Sequence, residues 1–142
     1  MLASKPALLS REAFKHQVFE RSKGACVFCG ARAADAHHIL ERKLFEDGGY
    51  YLDNGAAVCE ACHWRCETTE YSLDHVRQAC GIERACLPSH LDSSGVYDKW
   101  GNRIWPSGLR SVGPLAQDDG MLKALAAGGV RSWLMPADYR EG

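Results

Sequence analysis

The sequence predicts an α+β domain whose first half is tied together by a four-cysteine metal site. Three observations carry this reading. Two Cys-x-x-Cys pairs, Cys26/Cys29 and Cys59/Cys62, stand in the first half of the chain. Amphipathic runs with helix-capping residues flank them, and the residues between read as short extended runs separated by Gly-containing turns. The 142 residues amount to one domain, and 46% hydrophobic with 25% charged content is that of an ordinary globular protein with a real core.

Ser10 is a good N-cap for a helix over residues 11–22, with Phe14, Val18 and Phe19 on one stripe and Gly24 ending the segment. Cys26 and Cys29 then bracket a knuckle, and residues 36–40 read as a strand, the two pieces suiting a hairpin. Residues 41–58 hold two turn signals, Asp47-Gly48-Gly49 and Asn54-Gly55, and read as mostly loop. A helix from Glu60 to about Thr69 follows, and Ser72 caps a second, shorter one that Gly81 closes. Past Leu87-Pro88 turns dominate. Residues 96–105, VYDKWGNRIW, read as a hairpin with its tip at 98–102, and Asp119 as the cap of a last helix through about Ala127. Neither half alone would bury much surface, so residues 1–142 are expected to form a single domain, with 87–142 a hairpin-and-helix extension packed on the rest.

Lys plus Arg number 17 against 18 Asp plus Glu, a net charge of −1. That balance excludes a binder working through bulk positive charge, so any nucleic-acid contact must be local. No window approaches the roughly 18 apolar residues a membrane span needs, and the opening MLASKPALLSRE lacks a signal-peptide core and cleavage site. No membrane partner and a cytoplasmic location are the expectation.

In a reducing compartment, seven cysteines with four in Cys-x-x-Cys pairs favour a metal over disulfides. Two thiolates from one tight turn take adjacent corners of a tetrahedron, so Cys26, Cys29, Cys59 and Cys62 are expected to hold one structural Zn²⁺. Cys66, Cys80 and Cys86 read as small apolar residues. The 29 residues between the pairs exceed the zinc-ribbon gap of roughly 15 to 20. Inside that gap lie His37-His38 and Asn54, and His63 directly follows the second pair. A zinc-tied frame would bring these four together.

The order CVFC, AHHI, NG, CEACH resembles the zinc-finger-bearing HNH endonucleases, whose unit is a ββα-metal fold, over about residues 25–67. Position by position, the resemblance implies that His38 is the general base, His37 and His63 ligands of a catalytic divalent ion, and Asn54 the residue that orients the loop and the base. Chemistry agrees, since an imidazole with a pKa near ~6.5 can take a proton from water at neutral pH. Successive strand residues point to opposite faces, so His37 and His38 can share a metal only where the strand ends or bulges, a geometry that would let one hold the metal while its neighbour reaches the water. Glu67, one helical turn after His63, is a candidate third ligand. Many relatives carry Asp where His37 stands. Histidine there shifts the preference toward Mn²⁺, Ni²⁺ or Zn²⁺, and Glu67 shifts it toward Mg²⁺ or Mn²⁺.

Arg42 and Lys43 after the strand and Arg65 on the ligand-bearing helix are candidate phosphate contacts, against the alternative of a solvated face. Trp100, Arg103 and Trp105 would either stack on bases or pack the second half. His16, His75 and His90 have no such context. The expected function is metal-dependent phosphodiester hydrolysis, nicking DNA rather than RNA by family habit. The alternatives are a non-catalytic zinc module that recognises nucleic acid or protein, and an RNA-directed nuclease or repair role.

Overall fold

The computed structural model describes residues 7–136. The first helix, α1, spans Arg11–Arg21; the Ser10 hydroxyl accepts the Ala13 N–H at 3.1 Å, and Phe14 and Val18, one turn apart, are its buried residues. Strands β1 (Asp35–His38) and β2 (Gly55–Val58) pair antiparallel, with His37 opposite Ala56 and His38 opposite Gly55. Helix α2 (Glu60–Glu67) follows β2 directly, so two strands and a helix stand in succession around the cysteine region.

Two local expectations are corrected here. Residues 41–58 are not all loop, because their last four form β2. All four are buried and none is larger than valine. A strand covered on both faces has no alternating pattern to betray it. Nor do the knuckle and the strand form a hairpin together. A single bridge, Ala25 to Arg32, flanks the knuckle, and its Val27 N–H donates to the Ala57 carbonyl of β2 at 3.0 Å.

Gly55 explains how α1 comes to lie so near. A Cβ at that position would collide with Val18 and stand 2.7 Å from the Phe14 ring. Helix α3 (Leu73–Ala79) is capped by Ser72, whose hydroxyl accepts the His75 N–H at 3.1 Å. Its Leu73 and Val76 join Ile39, Leu40, Leu44, Val58 and Cys66 in the main core.

In the second half, Asp98 and Asn102 close a tight hairpin, with the Asp98 N–H donating to the Asn102 carbonyl at 3.0 Å. The tip is buried, not solvated: Trp100 is 5% exposed and its indole N–H donates to the Glu67 carbonyl at 2.9 Å. Strands β3 (Arg103–Ile104), β4 (Arg110–Ser111) and β5 (Leu134–Met135) form a small sheet in that order, antiparallel and then parallel. Helix α4 (Asp119–Ala127) is capped by Asp118 rather than Asp119, its carboxylate accepting the Met121 N–H at 2.9 Å. Met121, Ala124 and Leu125 pack on Trp100, and Leu115 touches both this cluster and the main core. Further polar ties join the halves, among them the Glu41 N–H donating to the Lys99 carbonyl at 3.0 Å and Lys43 meeting Asp118 at 2.6 Å. Among the described residues no helix is long and apolar enough to cross a membrane.

Candidate metal centre

The knuckle supplies Cys26 and Cys29, and the junction of β2 with α2 supplies Cys59 and Cys62. The four sulfurs lie within 4.8 Å of one another. Cys29 and Cys59 are 3.6 Å apart, close to the edge of about 3.8 Å that a tetrahedron with Zn–S bonds of ~2.3 Å requires. All seven cysteines are free thiols. Burial acts to raise the Cys26 thiol, but hydrogen bonds from the backbone at Cys29, Cys59 and Phe28 override it and bring it down to about 6. Burial, with the neighbouring thiols adding to it, pushes Cys62 up to about 12. One sulfur is readily ionised and another resists, as four crowded thiols must without a cation; a divalent ion removes that conflict and lets all four lose their protons. The cluster is chemically fit for zinc.

A second group of donors, from His37, His63 and Glu67, also lies within 4.8 Å. Helical spacing brings Glu67 Oε1 to 3.1 Å from His63 Nε2. The same oxygen is 3.6 Å from His37 Nδ1, beyond hydrogen-bond reach, so this buried nitrogen has no hydrogen-bond partner. Donors around one ion at ~2.0–2.2 Å stand roughly 3 to 3.5 Å apart, and an orphaned buried nitrogen aimed at a carboxylate is a further mark of a cation site. Two imidazoles and a carboxylate are a donor set for a divalent ion that keeps open positions.

Electrostatics favour the metal-ligating state of His37 and Glu67 and, without an ion, oppose it at His63. Burial brings the His37 imidazole down to about 3, so it is neutral at pH 7. Burial opposes ionisation of Glu67, but its close approach to the His37 and His63 imidazoles and the charge of Lys99 outweigh it and hold the carboxyl well below its usual range. The hydrogen bond to Glu67 raises His63.

Three residues outside the sequence-derived set complete the surroundings. Asp35 Oδ2 stands 3.2 Å from His63 Nδ1, leaving Nε2 toward the cluster. Lys99 Nζ lies 3.3 Å from Glu67 Oε2 and 2.7 Å from Glu41 Oε2. Asp35 had a signal, since it shares a strand face with His37 two residues on. Lys99 and Glu41 had none, because 58 positions separate them.

His38 faces the other way. Its ring stacks on Phe14 with centroids 4.8 Å apart, meets Tyr50 edge-on at 5.0 Å, and lines an open cleft of about 900 Å³ between α1 and β1. Burial, reinforced by the Lys99 charge, brings it down to about 4, and its Nε2 has no hydrogen-bond partner. Asn54 is 1% exposed: its Oδ1 accepts the Leu40 N–H at 2.9 Å, and its amide donates to the Leu40 and Gly49 carbonyls at 3.1 Å each. It thus ties the exit of β1 to the Asp47–Gly49 turn.

Arg42 lines the cleft, Lys43 is held by Asp118, and Arg65 sits 3.9 Å from Glu70 while donating to the Tyr71 hydroxyl at 3.1 Å. Base stacking by Trp100 is ruled out by its burial, and Trp105 is half-buried with Arg103 over its ring at 4.6 Å. His16, His75 and His90 are exposed and lie in neither cluster. No protein-family model, curated protein or solved structure matches this chain.

Proposed function

We propose that the chain is a metal-dependent endonuclease of the HNH, ββα-metal type that hydrolyses phosphodiester bonds, with DNA nicking as its reaction. The observation that carries this reading is the juxtaposition of the His37, His63 and Glu67 donors with His38, whose ring turns away from them to line an open cleft. A divalent ion held by the three donors would polarise the scissile phosphate and stabilise the leaving oxygen. His38, neutral at pH 7, takes the proton of the attacking water, while Phe14 and Tyr50 hold its ring. Asn54 fixes the backbone just past His38, and Asp35 orients His63. Zinc on the four cysteines ties the knuckle to the first turn of α2, the element that presents His63 and Glu67.

The test is relaxation of supercoiled plasmid DNA by the zinc-loaded protein, with Mg²⁺, Mn²⁺, Ni²⁺ or Zn²⁺ added in turn and an RNA substrate in parallel. His38→Ala is expected to retain fold and zinc and to lose about 10²–10⁴-fold in rate. His37→Ala and His63→Ala are expected to need more metal, with partial rescue by excess Mn²⁺. Wild-type cutting by His38→Ala removes the general-base role. A wild-type protein that binds zinc but cuts neither polymer with any ion is the non-catalytic zinc module instead.

A further inference from the structure

The cleft beside the His37, His63 and Glu67 cluster has walls from two elements. Arg11 and Lys15 line it from α1, one turn apart, and Arg42 lines it from the helical turn Arg42–Leu44 that follows β1. Phe14, which lies between Arg11 and Lys15 in sequence, is the residue stacked on His38, so this stretch of α1 is fastened to the ring assigned as the base. All three cations are exposed. Among the described residues none has a carboxylate within 4.0 Å, whereas Arg21, Lys43, Arg65, Arg77, Lys99 and Arg110 each do. Lys15 Nζ lies 5.6 Å over the Phe19 ring, a contact that leaves its protons available. Of the carboxylates lining the cleft, Asp35 is engaged by His63, and Glu12 sits beside Arg11 in the first turn of α1.

We propose that this cleft is a track for one nucleic-acid strand, in which Arg11 and Lys15 of α1 and Arg42 across from the helix hold the phosphates flanking the one to be cut. An open cleft of about 900 Å³ seats one sugar-phosphate backbone, of a single strand or of the strand a duplex presents for nicking, and not both backbones of a duplex. Four residues of helix rise about 6 Å, against ~3.4 Å of duplex axis per phosphate of a strand, so Arg11 and Lys15 reach phosphates one or two apart. Cations with no carboxylate within 4.0 Å among the described residues, set along a cleft whose floor holds His38 and His63, complement a polyanion that must cross that floor. The inference rests on the nuclease reading and adds the element that reads the backbone.

The test uses the zinc-loaded 142-residue chain carrying His38→Ala to block cutting, with a short fluorescein-labelled DNA strand, its duplex and the RNA strand of the same sequence, followed by anisotropy across a salt series. Adding Arg11→Ala and Lys15→Ala is expected to weaken binding of both single strands and to reduce the slope of log K against log salt by roughly 1.4, two phosphate contacts' worth. Glu12→Ala, which removes a negative charge from the same cleft, is expected to tighten binding. In the cutting-competent protein the double variant raises KM and leaves kcat and zinc content unchanged. Wild-type affinity and salt slope in the double variant, in a protein whose wild type cuts nucleic acid, overturn the track and leave the nuclease reading intact. A loss confined to the duplex overturns the single-strand assignment. A wild type that neither cuts nor binds any probe overturns both.

Discussion

Asn54 shows how much one buried amide can organise. Its three hydrogen bonds satisfy both backbone groups of Leu40 and the Gly49 carbonyl, two residues beyond His38 on one side and in a turn on the other. Asn54→Ala strands the Leu40 N–H in the core, which costs about 1–3 kcal/mol before any effect on the neighbouring carbonyls. The expected result is a lower urea midpoint with unchanged zinc content, and a cleavage rate that falls further than stability alone explains. His37 and His38 carry a second prediction. Burial depresses both, to about 3 and about 4, so the unfolded chain, which takes up protons near ~6.5, binds more protons than the folded one at mildly acidic pH. Their contribution to stability is therefore complete above that value and is lost as pH falls through the folded values. An NMR titration of the zinc-loaded protein should find both rings neutral at pH 5.5; a ring of His38 that titrates near its ordinary value would sink the prediction. The histidine pair and Asn54 were legible because each stands in a short pattern with a chemical reason. Asp35 was legible only in part, since strand alternation put it on the right face but nothing marked it as a partner of a residue 28 positions away.

At the scale of elements, α2 does the most with the fewest residues, because its eight positions contain a candidate zinc ligand and two candidate divalent-ion ligands, and its N-cap is a further candidate zinc ligand. The Cys59 sulfur accepts the Cys62 N–H at 3.5 Å, so cap and candidate metal ligand are the same atom. Cys59→Ser separates those roles, since a serine hydroxyl is itself a good cap but a poor zinc ligand. The variant is expected to lose zinc and to unfold at least residues 25–67, as structural zinc contributes ~10 kcal/mol or more to small metal-dependent folds. A folded, zinc-free variant would show that the cap, and not the ion, holds α2. The helices were legible from their caps, Ser10 and Ser72 above all. Helix α4 was found with its cap displaced by one position because Asp118 and Asp119 are equivalent in sequence and only the chain's approach selects between them. Strand β2 was missed for a different reason. Its Gly-Ala-Ala-Val run is small because α1 presses on it, and the collision awaiting a Cβ at Gly55 is a property of two elements together.

For the whole molecule, the decisive contact is one that no local pattern could announce. Lys99, in the tip of the second-half hairpin, reaches back to Glu41 and Glu67, and its ammonium lies 4.3 Å over the Trp100 ring. The hairpin was legible and its destination was not, because a charged tip reads as solvated until the partner carboxylates are known. Its side chain is only 5% exposed, and Glu41 and Glu67 are 13% and 24% exposed. Here burial decides the magnitude: removing one partner of a buried pair leaves uncompensated charge and costs about 3–5 kcal/mol, far more than an exposed pair contributes. Lys99→Met keeps the length of the side chain and removes the charge, so it is expected to lower stability by about that amount in urea denaturation. Glu41→Gln alone strands the ammonium against Glu67 and costs less, because one carboxylate remains beside it. The combination of Glu41→Gln with Lys99→Met removes both charges of the closer pair, and its loss should fall short of the sum of the two single losses by about 1–3 kcal/mol. Losses that simply add would mean that Lys99 packs there without its ammonium holding Glu41, leaving the Glu41 N–H to Lys99 carbonyl bond, Glu67, Trp100 and Leu115 to keep the hairpin in place.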